Sequence, residues 1–271
     1  MSVSATPPSA MSPLVSARIG LMAALPEEMA AVLAAMPDEA RVTLAGRDFW
    51  VGHLHGREVV AVLSGIGKVA AATTTALLAS HFGVGQVVFV GVAGGLGDGV
   101  RVGDVVLADA LMQHDMDASP LFPRFELPGK GLSRLPADPG AVARARVALS
   151  AALTPASLAD TAPQGLQAAD LAALGLDWPQ VHQGLIVSGD RFVCTDGECA
   201  ALRAAVPDAL AVEMEGAAVA QVCHDFGVPC LVVRTVSDRA DDAAHVDFPR
   251  FLRAVASPYA SAMLSHLLPV L

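Results

Sequence analysis

The stretch REVVAVLSGIGKVAAATTTALLASHFGVGQVVFVGVAGGLG, residues 57–97, decides the fold. Its first seven residues, REVVAVL, have strand length and are rich in β-branched valine. Gly65 and Gly67 interrupt that run, and an alanine-rich segment then reads as a helix to about His81. A second valine run at 86–92 reads as the next strand and is closed by Ala93-Gly94-Gly95-Leu96-Gly97. Strand, glycine turn, helix and strand together make the repeating unit of an α/β sheet.

The same alternation extends in both directions. Residues 18–24 (RIGLMAA) read as a buried strand, and Pro26 followed by Glu27 and Glu28 as the first turn of a helix. Strands are expected at 102–110, 183–187 and 229–236, with a short one before Glu213. Helices are expected at 139–152, 197–205, 214–226 and 248–268. The fold class is therefore α/β, with a largely parallel sheet covered by helices on both faces. Residues 154–180, of Ala/Pro/Gln/Asp character with one weak helical patch at 168–174, read as a surface insertion. Residues 1–16, rich in Ser, Pro and Ala, read as a disordered tail ahead of a single domain spanning 17–271.

Composition narrows the function. Of 271 residues 54% are hydrophobic and 16% charged, which excludes general disorder and supplies a large core. The net charge of −10 and the lack of a Lys/Arg run argue against a nucleic-acid groove and for a small-molecule substrate. No apolar run reaches the roughly 18 residues of a membrane span, and the N-terminus lacks the basic start and apolar block of a signal peptide. Cys194, Cys199, Cys223 and Cys230 fit neither zinc nor disulfide spacing, so reduced thiols in a cytoplasmic protein are expected.

In open α/β sheets ligands sit beyond the carboxyl ends of strands, which singles out a few positions. They are Glu28 after the first strand, glycines 65, 67, 94 and 95, Glu213 and Glu215, and Ser237-Asp238 after the last. AVEMEGAAVA, residues 211–220, sets two carboxylates among apolar neighbours at a helix start, where burial demands partners. Each position has a plainer reading: Glu28 as a solvated first-turn residue, the glycines as tight turns, Asp238 as a helix cap. Taken together, three carboxylates at strand ends, without a metal-ligand histidine pattern, resemble the acid-plus-base pair that cleaves a bond to an anomeric carbon. Neither glycine stretch fits GxGxxG or GxxxxGK[ST], which disfavours dinucleotide and P-loop sites.

Six motifs carry a family resemblance: SGIGKVAAA at 64–72, GVAGGL at 91–96, VGDVV at 102–106, GLIVSGDRF at 184–192, AVEMEGAAVA at 211–220 and VVRTVSDRAD at 232–241. In this order they resemble the 5'-methylthioadenosine/S-adenosylhomocysteine nucleosidases of the purine nucleoside phosphorylase superfamily. The resemblance implies a three-layer α/β/α subunit around a twisted mixed sheet, a homodimer, and hydrolysis of the N9–C1′ bond of adenine thionucleosides. No cofactor, metal, nucleic acid or membrane is implied. By the resemblance, Asp238 is the acid that protonates adenine N7 and Glu28 the carboxylate that activates water. Glu215 grips the ribose hydroxyls beside the backbone of Met214, and Glu213 belongs to the same motif. Phe192 stacks on adenine, the Val193 backbone pairs with the base edge, and Arg234 lies near the water. Ser237 and Gly94 are expected among the substrate-binding residues, and the region of Phe122 and Pro128 matches a segment lent to the partner's alkylthio pocket. One departure is Val92, where the family's glycine-rich motif has a serine. It motivates one alternative, a non-catalytic nucleoside-binding protein; the nearest competing enzyme is a nucleoside phosphorylase of the same superfamily, which Glu28 disfavours because a phosphate site would prefer cations.

Overall fold

The computed structural model describes residues 17–161, 165–241, 251–252, 255 and 257–271, and in the first helix every side chain except those of Glu27, Glu28 and Ala31. The expected tail and residues 248–250, 253, 254 and 256 of the expected last helix lie outside the described residues.

Ten strands form one sheet. They are β1 (Ile19–Ala23), β2 (Ala40–Leu44), β3 (Arg47–Leu54), β4 (Arg57–Leu63), β5 (Gln86–Gly95), β6 (Val105–Gln113), β7 (Leu135–Pro136), β8 (Val181–Ser188), β9 (Ala209–Glu213) and β10 (Cys230–Asp238). The helices are α1 (Pro26–Ala34), α2 (Lys68–Ser80), α3 (Pro139–Ala152), α4 (Pro155–Ala159), α5 (Ala168–Ala173), α6 (Asp196–Ala205), α7 (Gly216–Phe226) and α8 (Ser257–Leu267). The strand-helix-strand unit of residues 57–97 is β4-α2-β5, with β1 inserted between its two strands and parallel to both.

Strand periodicity sorts the core into two layers. Val88, Val90, Leu231 and Val233 face one side with α3 and α8, while Val87, Phe89 and Val232 face the other with α7. This is the expected three-layer arrangement of helices on both faces of a sheet. The sheet is mixed rather than largely parallel. β2, β3 and β4 form an antiparallel meander, and β5–β9 and β6–β10 are antiparallel as well.

One topological feature creates the site. β5 pairs with β10 along one edge, but its other edge is shared, with Gln86 to Phe89 pairing to β1 and only Gly94 and Gly95 to β9. The strands β5, β9, β8, β6 and β10 therefore close into a ring. Gly91, Val92 and Ala93 lie where β1 has left β5 and β9 has not yet joined it. A crevice opens there.

The expected surface insertion is built into the core. Leu158, Leu166 and Leu171 are buried in the layer that contains Tyr259 and Met263 of α8, and Leu174, Leu176 and Trp178 pack against it. The segment supplies apolar area worth several kcal/mol, at roughly 1.5–3 kcal/mol per buried leucine.

Candidate active site

The crevice deepens into a cavity of about 500 Å³, walled by residues at the carboxyl ends of β1, β4, β8, β9 and β10. Ala24 and Leu25 come from the β1 side, Ile66 from the β4–α2 turn, and Arg191, Phe192 and Val193 from the segment after β8. Val212 to Glu215 and Ser237-Asp238 complete it against Gly91 to Gly94. Several carboxylates thus face a largely apolar chamber.

Asp238 is buried, its Oδ2 accepting from Ser237 Oγ at 2.8 Å and its Oδ1 from the Ala240 N–H at 2.8 Å. A break in register between Val236 and Asp238 marks an irregularity in β10, the device by which a strand re-aims a side chain beside a site. Gly94 is the residue paired with Asp238, and a Cβ there would lie 2.8 Å from Ala240 Cβ and 3.0 Å from Asp238 Oδ1. Only glycine leaves the acid its place.

Glu215 sits at the N-cap of α7, and its Oε1 accepts the Gly67 N–H at 2.8 Å from the turn before α2. The partially positive start of α2 thus faces this carboxylate. Gly67 has φ 95°, a backbone conformation that side-chain-bearing residues rarely adopt.

Glu213, two residues away, is held differently. It accepts from Ser188 Oγ, from the Glu215 N–H at 3.2 Å and the Gly216 N–H at 2.8 Å, and from Arg234 Nε at 3.2 Å and Nη2 at 2.7 Å. Arg234 itself donates through Nη1 to the Phe89 and Val233 carbonyls at 3.3 Å, with its guanidinium 3.9 Å from the centre of the Phe89 ring. Ser188 Oγ accepts the Ala217 N–H at 2.7 Å, completing the clamp on the start of α7.

Of the residues singled out in the sequence, Gly94, Phe192, Val193, Glu213, Met214, Glu215, Arg234, Ser237 and Asp238 all line this cavity. Phe192 lines the cavity and is 42% exposed. Glu28 lies in the first turn of α1, three residues past the cavity-lining Leu25, and its side chain lies outside the described ones. Phe122 and Pro128 are not part of this chain's own cavity wall. Ser188, Lys68, Asp115 and Asp190, which organise the walls, went unassigned in the sequence. Ser188 and Asp190 immediately follow or end β8, and that placement was the available signal.

The cavity's two guanidinium groups are already engaged, Arg234 with Glu213 and Arg191 with Glu198. Among the described residues, no three His, Cys, Asp or Glu side chains form a set that could hold a metal ion. No described helix is long and apolar enough to cross a membrane.

A sequence profile of the phosphorylase superfamily matches residues 18–269. A relative from Shewanella denitrificans, a 5'-methylthioadenosine/S-adenosylhomocysteine nucleosidase, is 34% identical over 91% of this chain and 96% of its own length. The chain belongs to the 5'-methylthioadenosine/S-adenosylhomocysteine nucleosidase family of that superfamily. Among solved structures, the Neisseria meningitidis nucleosidase in complex with methylthio-immucillin-A superposes with a TM-score of 0.80 at 32% identity, covering 94% of this chain and 100% of that one. The futalosine hydrolase of Helicobacter pylori, also 32% identical, has a TM-score of 0.76 and covers 92% of this chain and 96% of its own. The nucleosidase fold thus accounts for the sheet and its helices.

Proposed function

We propose that this chain is a nucleosidase that uses water to cleave the N-glycosidic bond of 5'-methylthioadenosine and S-adenosylhomocysteine, releasing adenine and the thioribose product. The observation that carries this reading is Asp238, buried at the end of β10 and pinned through both oxygens, in a cavity whose opposite wall presents Glu215.

The base enters against Phe192, with the Val193 backbone at its edge. Asp238 gives a proton to N7 as the C1′–N9 bond stretches, so that adenine departs neutral rather than as an anion. The ribose becomes oxocarbenium-like, and Glu215, holding the hydroxyls beside Met214, faces the developing positive charge. Glu28 takes the proton of the attacking water. Glu213 and Arg234 hold the wall together, since their hydrogen-bonding groups are directed at each other and at Ser188, the start of α7 and neighbouring carbonyls.

Electrostatics favour water over phosphate as the nucleophile. A phosphorylase needs cations directed at an anion, and both cavity guanidiniums are neutralised by carboxylates. Val92 puts an apolar wall where the family has a serine, and binding without turnover is the outcome to watch for. A homodimer, in which Phe122 and Pro128 extend the partner's pocket, and a cytoplasmic location complete the reading.

The test is adenine release from 5'-methylthioadenosine and S-adenosylhomocysteine, with and without phosphate. Phosphate-independent release from the two thionucleosides is expected, with Asp238→Asn slowing kcat by about 100- to 10,000-fold. Binding without release, or release that requires phosphate, would overturn it.

A further inference from the structure

Three charged residues that are not themselves in the cavity lining, Lys68, Asp115 and Asp190, join segments at its mouth. The Lys68 N–H donates to Asp190 Oδ1 at 2.8 Å, the Asp190 N–H donates to Asp115 Oδ2 at 2.9 Å, and Lys68 Nζ donates back to Asp115 Oδ1 at 2.6 Å. The ring is closed. Lys68 Nζ also donates to Gln113 Oε1 at 3.0 Å, and Gln113 Nε2 donates to Gln221 Oε1 of α7 at 2.7 Å. With its side chain only 15% exposed, Lys68 is withdrawn from water to a degree uncommon for lysine, and two carboxylates answer its charge.

The ring joins the β4–α2 turn to the segment after β8, and each end abuts a cavity wall. Next to Lys68 stand Gly67, whose N–H donates to Glu215, and Ile66 at the mouth. Next to Asp190 come Arg191, Phe192 and Val193. A Cβ on Gly67 would approach Asp190 Oδ1 to 3.2 Å, so the two walls already touch at this point. We propose that Lys68 is a positioning residue whose ring with Asp115 and Asp190 fixes the mouth of the cavity, keeping the Gly67 N–H on Glu215 and Phe192 over the base.

Because the ring acts on where the nucleoside sits rather than on the proton transfer, its loss weakens ground state and transition state alike. Lys68→Met keeps the stem and removes the charge. It is expected to raise KM for 5'-methylthioadenosine on the order of tenfold with kcat within about threefold, and Asp115→Ala to do the same. The double variant should be little worse than either single one, because both open one ring. Lys68→Arg, which restores a cation, should recover most of the affinity. An unchanged KM, a fall in kcat and Tm alone, or additive effects in the double variant would overturn the assignment.

The inference rests on the nucleosidase reading, and equilibrium binding separates the two. If the wild type fails to release adenine, the Kd for 5'-methylthioadenosine by calorimetry still reports on the ring. A weakening in Lys68→Met sustains the positioning role, and an equal Kd removes it.

Discussion

Two charge clusters flank the cavity and are built in opposite ways. In its wall, Arg234 and Glu213 are 1% and 3% exposed in their side chains and hydrogen-bonded to each other. At its mouth, Lys68, Asp115 and Asp190 are 15%, 33% and 51% exposed. The first pair has lost its water and relies on mutual attraction plus hydrogen bonds from Ser188 and the start of α7. The second keeps water within reach of every member. Stranding one member of a dry pair in the interior is costly, whereas a wet ring shapes a surface at small cost to stability.

The sharpest way to break that comparison is to remove one dry partner. Arg234→Met strands the Glu213 charge in the interior and should cost about 3–5 kcal/mol in chemical denaturation, whereas Asp115→Ala should cost no more than about 1 kcal/mol. Comparable losses would show that exposure does not separate the two clusters. Replacing both members as Glu213→Gln with Arg234→Met should recover part of the loss, because no charge is then left alone.

A smaller effect is expected from Gly94→Ala, which probes the space between the clusters. The new Cβ would crowd Asp238 and Ala240, displacing the acid by a fraction of an ångström to an ångström. A shift of that size can lower turnover by about 100-fold, read as kcat at unchanged secondary structure by circular dichroism. Wild-type turnover would mean that the acid's position is not set by β5.

The smallest effect concerns acidity at the mouth. Burial pushes the His114 imidazole below its ordinary 6.5, an effect that outweighs the pull of Asp115 upward, and its Nε2 has no partner among the described groups. The unfolded chain then takes up a proton near pH 6.5 that the folded protein takes up only at lower pH. Stability from this residue is complete above that pH and falls as pH drops from it toward the folded value. His114→Phe should flatten that part of the stability-against-pH curve, and an unaltered slope would place the titration elsewhere. The Asp115 carboxyl is lowered too, but by its partners rather than by burial. Burial raises it, but the Lys68 ammonium and the Asp190 N–H together hold it below the ordinary 3.8, so the Asp115 carboxylate stays charged through this window.

Much of the site was legible because it lies at strand ends. Glu213, Glu215, Gly94 and Asp238 follow or close β9, β5 and β10, where valine runs break off into glycine or acid. The β2–β3 hairpin was not legible. β2 is a largely exposed edge, and its turn is made by Ala45 and Gly46 at φ 50° and 72°, where asparagine would have been the recognisable residue. The insertion misled for another reason. Leu158, Leu166 and Leu171 are scattered in a polar, proline-containing context, and their burial depends on α8, about a hundred residues later in the chain for Leu158.

The sequence by itself determined the alternation of strand and helix, because residue size, branching and periodicity act locally, and it determined which carboxylates stand at strand ends. Only the tertiary structure decided what each carboxylate does. Glu213 and Glu215 are two residues apart and chemically identical. One meets Arg234 arriving from β10, and the other meets Gly67 arriving from the turn before α2. Burial, partner and charge at each position are long-range properties, set when β5 divides its edge between β1 and β9 and the sheet closes around the cavity.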